Sequence, residues 1–115
     1  MRFPAPLLLL AACSLEPDGA IPIDPPDGAR AIWDSAQACT GRRGDFGELR
    51  FYVVPDGELP RNGAKTFGQD IYLREKYRDH PLVLKHEMIH ALGIHEHPYH
   101  PFVTPCKATW ESYDG

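Results

Sequence analysis

The stretch His86-Glu87-Met88-Ile89-His90-Ala91-Leu92-Gly93-Ile94-His95-Glu96-His97-Pro98 decides how this chain is read. It opens with H-E-x-x-H. On a helix, residues i and i+4 share a face, so His86 and His90 can direct two imidazoles at one point. That is half of what a tetrahedral Zn²⁺ site needs. Glu87 follows His86, turned from it by about 100° on the helix. From there it can hold a metal-bound water as a general base. Gly93 can adopt the left-handed conformation, stop the helix and turn the chain back. His95, Glu96 and His97 come next, and a third ligand is expected among them.

His97 is the preferred third ligand. Imidazole is the commonest metal ligand, and Pro98 restricts the residue before it to extended geometry. Glu96 is the alternative, since His₂Glu sites also exist, and His95 comes third because it lies closest to the helix end. Adjacent residues of an extended segment face opposite ways, so Glu96 and His97 are not expected to bind together. A histidine left out of the shell reads as a solvated loop residue. His80 precedes the helix and reads as structural or exposed.

These residues resemble the active-site motif of the zincin metallopeptidases. His86, Glu87, His90 and Gly93 fall in register with the extended pattern H-E-x-x-H-x-x-G-x-x-H. Glu96 stands where that pattern places its third histidine, with His95 and His97 on either side. The metzincin branch carries a methionine turn beneath the metal, and this chain has no Met after Met88. The resemblance implies a zincin-like domain, a Zn²⁺ cofactor and a peptide or protein substrate. Zinc would be held by His86, His90 and His97, with Glu87 as the catalytic base that takes a proton from water and returns it to the leaving amine. Tyr99, His100 and Tyr113 are candidates for a donor to the developing oxyanion. The alternative is a zinc-binding envelope lipoprotein without catalysis. An envelope lipoprotein with an incidental motif is a third reading, and it requires that no metal bind.

The 115 residues are enough for one domain, and 43% hydrophobic with 10% aromatic residues permits a small core. Domains of this size bury proportionally less surface and often need a staple or a metal. The net charge is −4, and no basic run or stripe exists, so a nucleic-acid partner is excluded. The acidic balance reads as ordinary solubility, and a monomer is expected.

Residues 1–12, MRFPAPLLLLAA, place one positive charge at Arg2 before an apolar run from Leu7 to Ala12. That run is too short to span a bilayer and reads as a signal peptide. Leu10-Ala11-Ala12-Cys13 resembles the lipobox of bacterial lipoproteins, which implies that Cys13 becomes the lipidated first mature residue. Residues 13–28 then form a tether dominated by proline, glycine and acids. Residues 29–115 form the metal-binding domain. The expected location is exported, in the cell envelope and held to the membrane by lipid.

Within the domain the pattern is α+β: an N-terminal helix, a short sheet, the helix of the metal motif and an irregular C-terminal segment. Asp27 is placed to cap a helix from Ala29 to about Cys39. Leu49 to Val54 is rich in β-formers and reads as a strand, closed by a turn at Pro55-Asp56-Gly57. Glu58 to Gly68 reads as loop, with Phe67 as an anchor. Asp70 to Arg74 alternates and reads as a second strand. The zincin resemblance implies that it borders the cleft and pairs with substrate, and a plain core strand is the other reading. Asp79 or His80 starts the next helix, with Pro81 in its first turn. Leu84, Met88 and Ala91 are expected on the face toward the sheet, with Val83, His86 and His90 on the other. Pro98, Pro101 and Pro105 rule out a further regular helix before Cys106.

Three cysteines occur, Cys13, Cys39 and Cys106. With Cys13 assigned to lipid, Cys39 and Cys106 remain, and an exported domain would oxidise them to a disulfide.

Overall fold

The computed structural model describes residues 17–55 and 64–108. In chain order its regular elements are β1 (Ile21–Ile23), α1 (Ala29–Thr40), β2 (Arg50–Val54), β3 (Ala64–Phe67), β4 (Asp70–Arg74) and α2 (Pro81–Ala91). Single turns lie at Phe46–Glu48, Glu75–Tyr77 and Tyr99–Phe102. The signal peptide, Cys13, Asp56, Gly57, the first part of the expected loop, Trp110 and Tyr113 lie outside the described residues.

The two strands with the strongest β-forming composition pair with each other. β2 and β4 run parallel, with Phe51 opposite Ile71 and Val53 opposite Leu73. Alternation along the strands separates two faces. Phe51, Ile71 and Leu73 belong to the main core, while Val54 and Tyr72 form a smaller cluster with Ala20 and Tyr52 on the opposite face. Tyr52 and Tyr72 stack there at 4.8 Å. The sheet is completed at its edges in the order β1-β2-β4-β3, with both outer strands antiparallel to their neighbours.

Both edges correct the expectations. Residues 64–67 form strand β3 rather than loop, joined to β4 through Gly68 and Gln69. Phe67 at its end is 39% exposed and lies edge-on to Tyr72, so it does not anchor the core. β4 is therefore central, with Ile71, Tyr72 and Leu73 buried, and it cannot offer a free edge. The strand that borders α2, the helix of His86 and His90, at the sheet edge is β3. At the other edge, Ile21–Ile23 pairs with β2, so the segment read as tether contributes β1. Pro22 lacks an N–H to donate, which an edge strand tolerates.

α1 begins at Ala29 as expected, but Asp27 does not cap it. Gly28 is the N-cap, in the left-handed region, and no side chain caps the helix. The amide of Ala29 instead donates to the Pro26 carbonyl at 3.0 Å. Trp33 and Ala36 put the inner face of α1 against α2 and the core. α2 starts as expected, with His80 as N-cap and Pro81 in the first turn. Its burial is different: Val83, Leu84, Met88, Ile89 and Ala91 are all buried, so it has no solvent face along its second half. A helix buried on every side, His86, Glu87 and His90 included, must be covered on every side. α1 covers one side, β3 and β4 another, and the segment from Phe102 to Ala108 closes over the histidine side.

The helices thus pack on one face of a small mixed sheet, an α+β arrangement. Cys39 and Cys106 form a disulfide that ties the end of α1 to the closing segment. Among the described residues, no helix is long and apolar enough to cross a membrane.

Candidate metal centre

α2 carries His86 and His90 one turn apart, and their rings meet at 5.0 Å between centroids. Gly93 then takes a positive φ of 98°, a conformation that costs a residue with a Cβ. Arg42 secures the same helix end by donating from Nη1 to the Leu92 carbonyl at 3.1 Å. The reversal brings Ile94 back over the last turn, where its carbonyl lies 2.7 Å from His90 Nδ1. Four residues after Gly93, His97 reaches the same spot. Its ring lies 5.0 Å from that of His86 and 4.9 Å from that of His90. The ligand atoms of His86, His90 and His97 all lie within 4.8 Å of one another.

The hydrogen bonds fix which nitrogen of each helix histidine faces the centre. His86 Nδ1 lies 2.7 Å from the Ala108 carbonyl, as His90 Nδ1 does from that of Ile94. A carbonyl only accepts, so both Nδ1 atoms carry hydrogen and donate it. In a neutral imidazole this leaves the lone pair on Nε2. Metal-ligating histidines are held in this way by a carbonyl or carboxylate behind the ring. His90 Nε2 and His97 Nε2 are 3.2 Å apart. Two nitrogens each about 2.0–2.1 Å from a tetrahedral zinc would lie about 3.3–3.4 Å apart. The donor set therefore fits a metal ion, and the three histidines could hold one.

Burial grades across the triad. His86 is fully buried, His90 is 9% exposed and His97 is exposed, so the centre meets solvent on the His97 side. Phe102 forms its floor: the ring is buried and lies 4.7, 5.0 and 5.3 Å from the rings of His86, His90 and His97. Beside the centre, burial pushes the Lys85 ammonium below the ordinary lysine range, and the charge of Lys107 pushes it further.

Glu87 is fully buried. Thr66 on β3 donates from Oγ1 to Glu87 Oε1 at 2.6 Å. Thr66 pairs with Ile71, whose side chain is in the core, so the hydroxyl stands on the sheet face that meets α2. His95 and Glu96 are exposed and stand outside the cluster. His80 packs edge-on against Tyr77 at 5.8 Å, away from the triad. Among the donor candidates, Tyr99 is 70% exposed and His100 is exposed. Sequence reasoning missed Thr66, Phe102 and the carbonyls of Ile94 and Ala108. Every residue has a carbonyl, so no sequence signal marks those two. Phe102 sits among prolines, a context that pointed only to irregular chain.

Comparison with known protein families, with curated proteins and with solved structures finds no match to this chain.

Proposed function

We propose that the chain is a zinc-dependent hydrolase acting on peptide bonds. The observation that carries this reading is the convergence of His86, His90 and His97, with two tautomers fixed by carbonyls behind the rings. Zinc is the ion favoured by three imidazoles. Bound there, it would acidify a water and polarise a substrate carbonyl. Glu87, next to His86 on the helix, is the group that would take the proton of the attacking water and return it to the leaving amine. Thr66 holds one oxygen of that carboxylate and so fixes its orientation on the helix. The exposed side of His97 is where a peptide would approach.

Glu87→Gln should keep close to one zinc per chain, measured by elemental analysis, and lose nearly all chelator-sensitive cleavage of an unfolded protein. His86→Ala should lose the zinc itself. Full turnover by Glu87→Gln would overturn the mechanism. A second reading, a zinc-binding protein without catalysis, is favoured by the complete burial of Glu87 and its short bond to Thr66. It predicts stoichiometric zinc and no cleavage by the unaltered chain.

The disulfide supports export to an oxidising compartment. The finer assignment, an envelope protein held by lipid on Cys13, rests on the sequence alone. Cys13→Ser should release it from membranes or leave the precursor uncut, and unchanged fractionation with unchanged mass would refute it.

A further inference from the structure

We propose that the Cys39–Cys106 disulfide is a redox control on the metal centre, so that oxidation of this pair and metal binding reinforce each other. The inference rests on the metal-binding part of the reading above and does not require hydrolysis.

The connection is short and physical. Cys106 is buried, and Ala108, whose carbonyl takes the hydrogen of His86 Nδ1, lies two residues further on. The segment between Phe102 and Ala108 is folded on itself. Cys106 N–H donates to the Pro101 carbonyl at 3.0 Å, Lys107 N–H to that of Val103 at 3.2 Å, and Ala108 N–H to that of Phe102 at 2.8 Å. The same segment supplies the Phe102 ring beneath all three histidines. One covalent bond joins it to Cys39 at the end of α1, and α1 packs on the helix that carries His86 and His90. The metal would join that helix to His97, at the entry to the segment.

Disulfide and metal therefore order the same stretch of chain. When one has already fixed it, the other has less conformational freedom to remove. Such coupling is reciprocal: whatever factor the disulfide adds to metal affinity, the metal adds to disulfide stability. Reduction by a dithiol delivers two electrons and two protons, splits the S–S bond into two thiols and closes the dithiol to its own disulfide. Of the pair, Cys39 is half-buried and Cys106 is buried, so Cys39 is the side from which a reductant would approach. Freed Cys106 no longer fixes Ala108, and the loss of such a partner behind a metal ligand costs about 10–100-fold in affinity. In a reducing compartment the site would stay metal-poor, and it would load once the disulfide forms.

The experiment is a zinc titration against a competing chelator. The oxidised chain is compared with the chain reduced and alkylated, and with C39S/C106S, which removes thiols as alternative ligands. The expected result is at least a tenfold weaker affinity in both disulfide-free forms. Affinities within twofold would overturn the proposal. Should those forms fail to fold, the oxidised chain is equilibrated in dithiol buffers with free zinc fixed by a chelator. Zinc should then move the midpoint to more negative potential by about 30 mV for each tenfold of coupling, and an unmoved midpoint would overturn the proposal. If the oxidised chain binds no zinc, or H86A binds as tightly as the unaltered chain, the metal centre itself is refuted and the coupling with it.

Discussion

His97 enters the triad from outside the helix, and its place there is decided by what Gly93 does to the chain. The left-handed turn at Gly93 swings Ile94 back onto His90, and the next residues run past the centre in a direction that brings His97 inward. Glu96 and His95 are left in solvent. His97→Ala should therefore weaken zinc binding by more than the roughly 10–100-fold typical of losses behind the ligands. Glu96→Ala and His95→Ala should stay within a few-fold, as read by chelator competition. The reverse pattern would make the site His₂Glu. At this scale the sequence was legible wherever a periodicity applied. The i, i+4 spacing alone joined His86 to His90, and the chemistry of imidazole favoured His97 over the motif register that points to Glu96. The backbone partners were illegible, because their identity depends on where two distant carbonyls end up and not on which residues own them.

Among the elements, β2, β4 and both helices could be read from composition, helix spacing and Pro81, whereas β1 and β3 could not. Ala64-Lys65-Thr66-Phe67 has no strong alternation, and Ile21-Pro22-Ile23 lies among prolines. Both become strands because β2 and β4 leave edges that need partners, a tertiary cause that local propensity does not carry. Missing β3 also misplaced the sheet edge, assigning to β4 a border that the register gives to its neighbour. β3 matters because it delivers Thr66 to Glu87. Thr66→Val keeps the shape and the strand preference and removes only the hydroxyl. Leaving a buried carboxylate without that donor should cost about 1–3 kcal/mol, read as a lower urea midpoint of the metal-free, disulfide-bonded chain. Thr66→Ser should restore most of it. An unchanged midpoint for Thr66→Val would mean the bond contributes nothing to stability.

For the whole molecule, the segment after the histidine triad is the part of the described residues with little regular structure and much to hold. Among the described residues it contains one short turn, and its attachment rests on four buried residues, Pro101, Phe102, Cys106 and Ala108. The staple was legible as soon as Cys13 had another assignment, since only one pairing of the remaining cysteines was left. Its consequence for stability follows from loop length. Cys39 and Cys106 are 67 positions apart, and closing a loop of that size is worth about 4 kcal/mol in the chain-entropy model. Domains of this size are commonly stable by only about 5–15 kcal/mol. Replacing both cysteines by alanine should therefore lower the unfolding free energy of the metal-free chain by about 4 kcal/mol. Zinc at a hundred times its dissociation constant would return about 2.7 kcal/mol, so metal offsets part of the loss and not all of it. Urea unfolding of both forms, with and without zinc, gives the four values required. A disulfide-free chain that matched the unaltered one in the absence of zinc would show that the closing segment holds itself in place, and that its burial around Phe102 outweighs the cross-link.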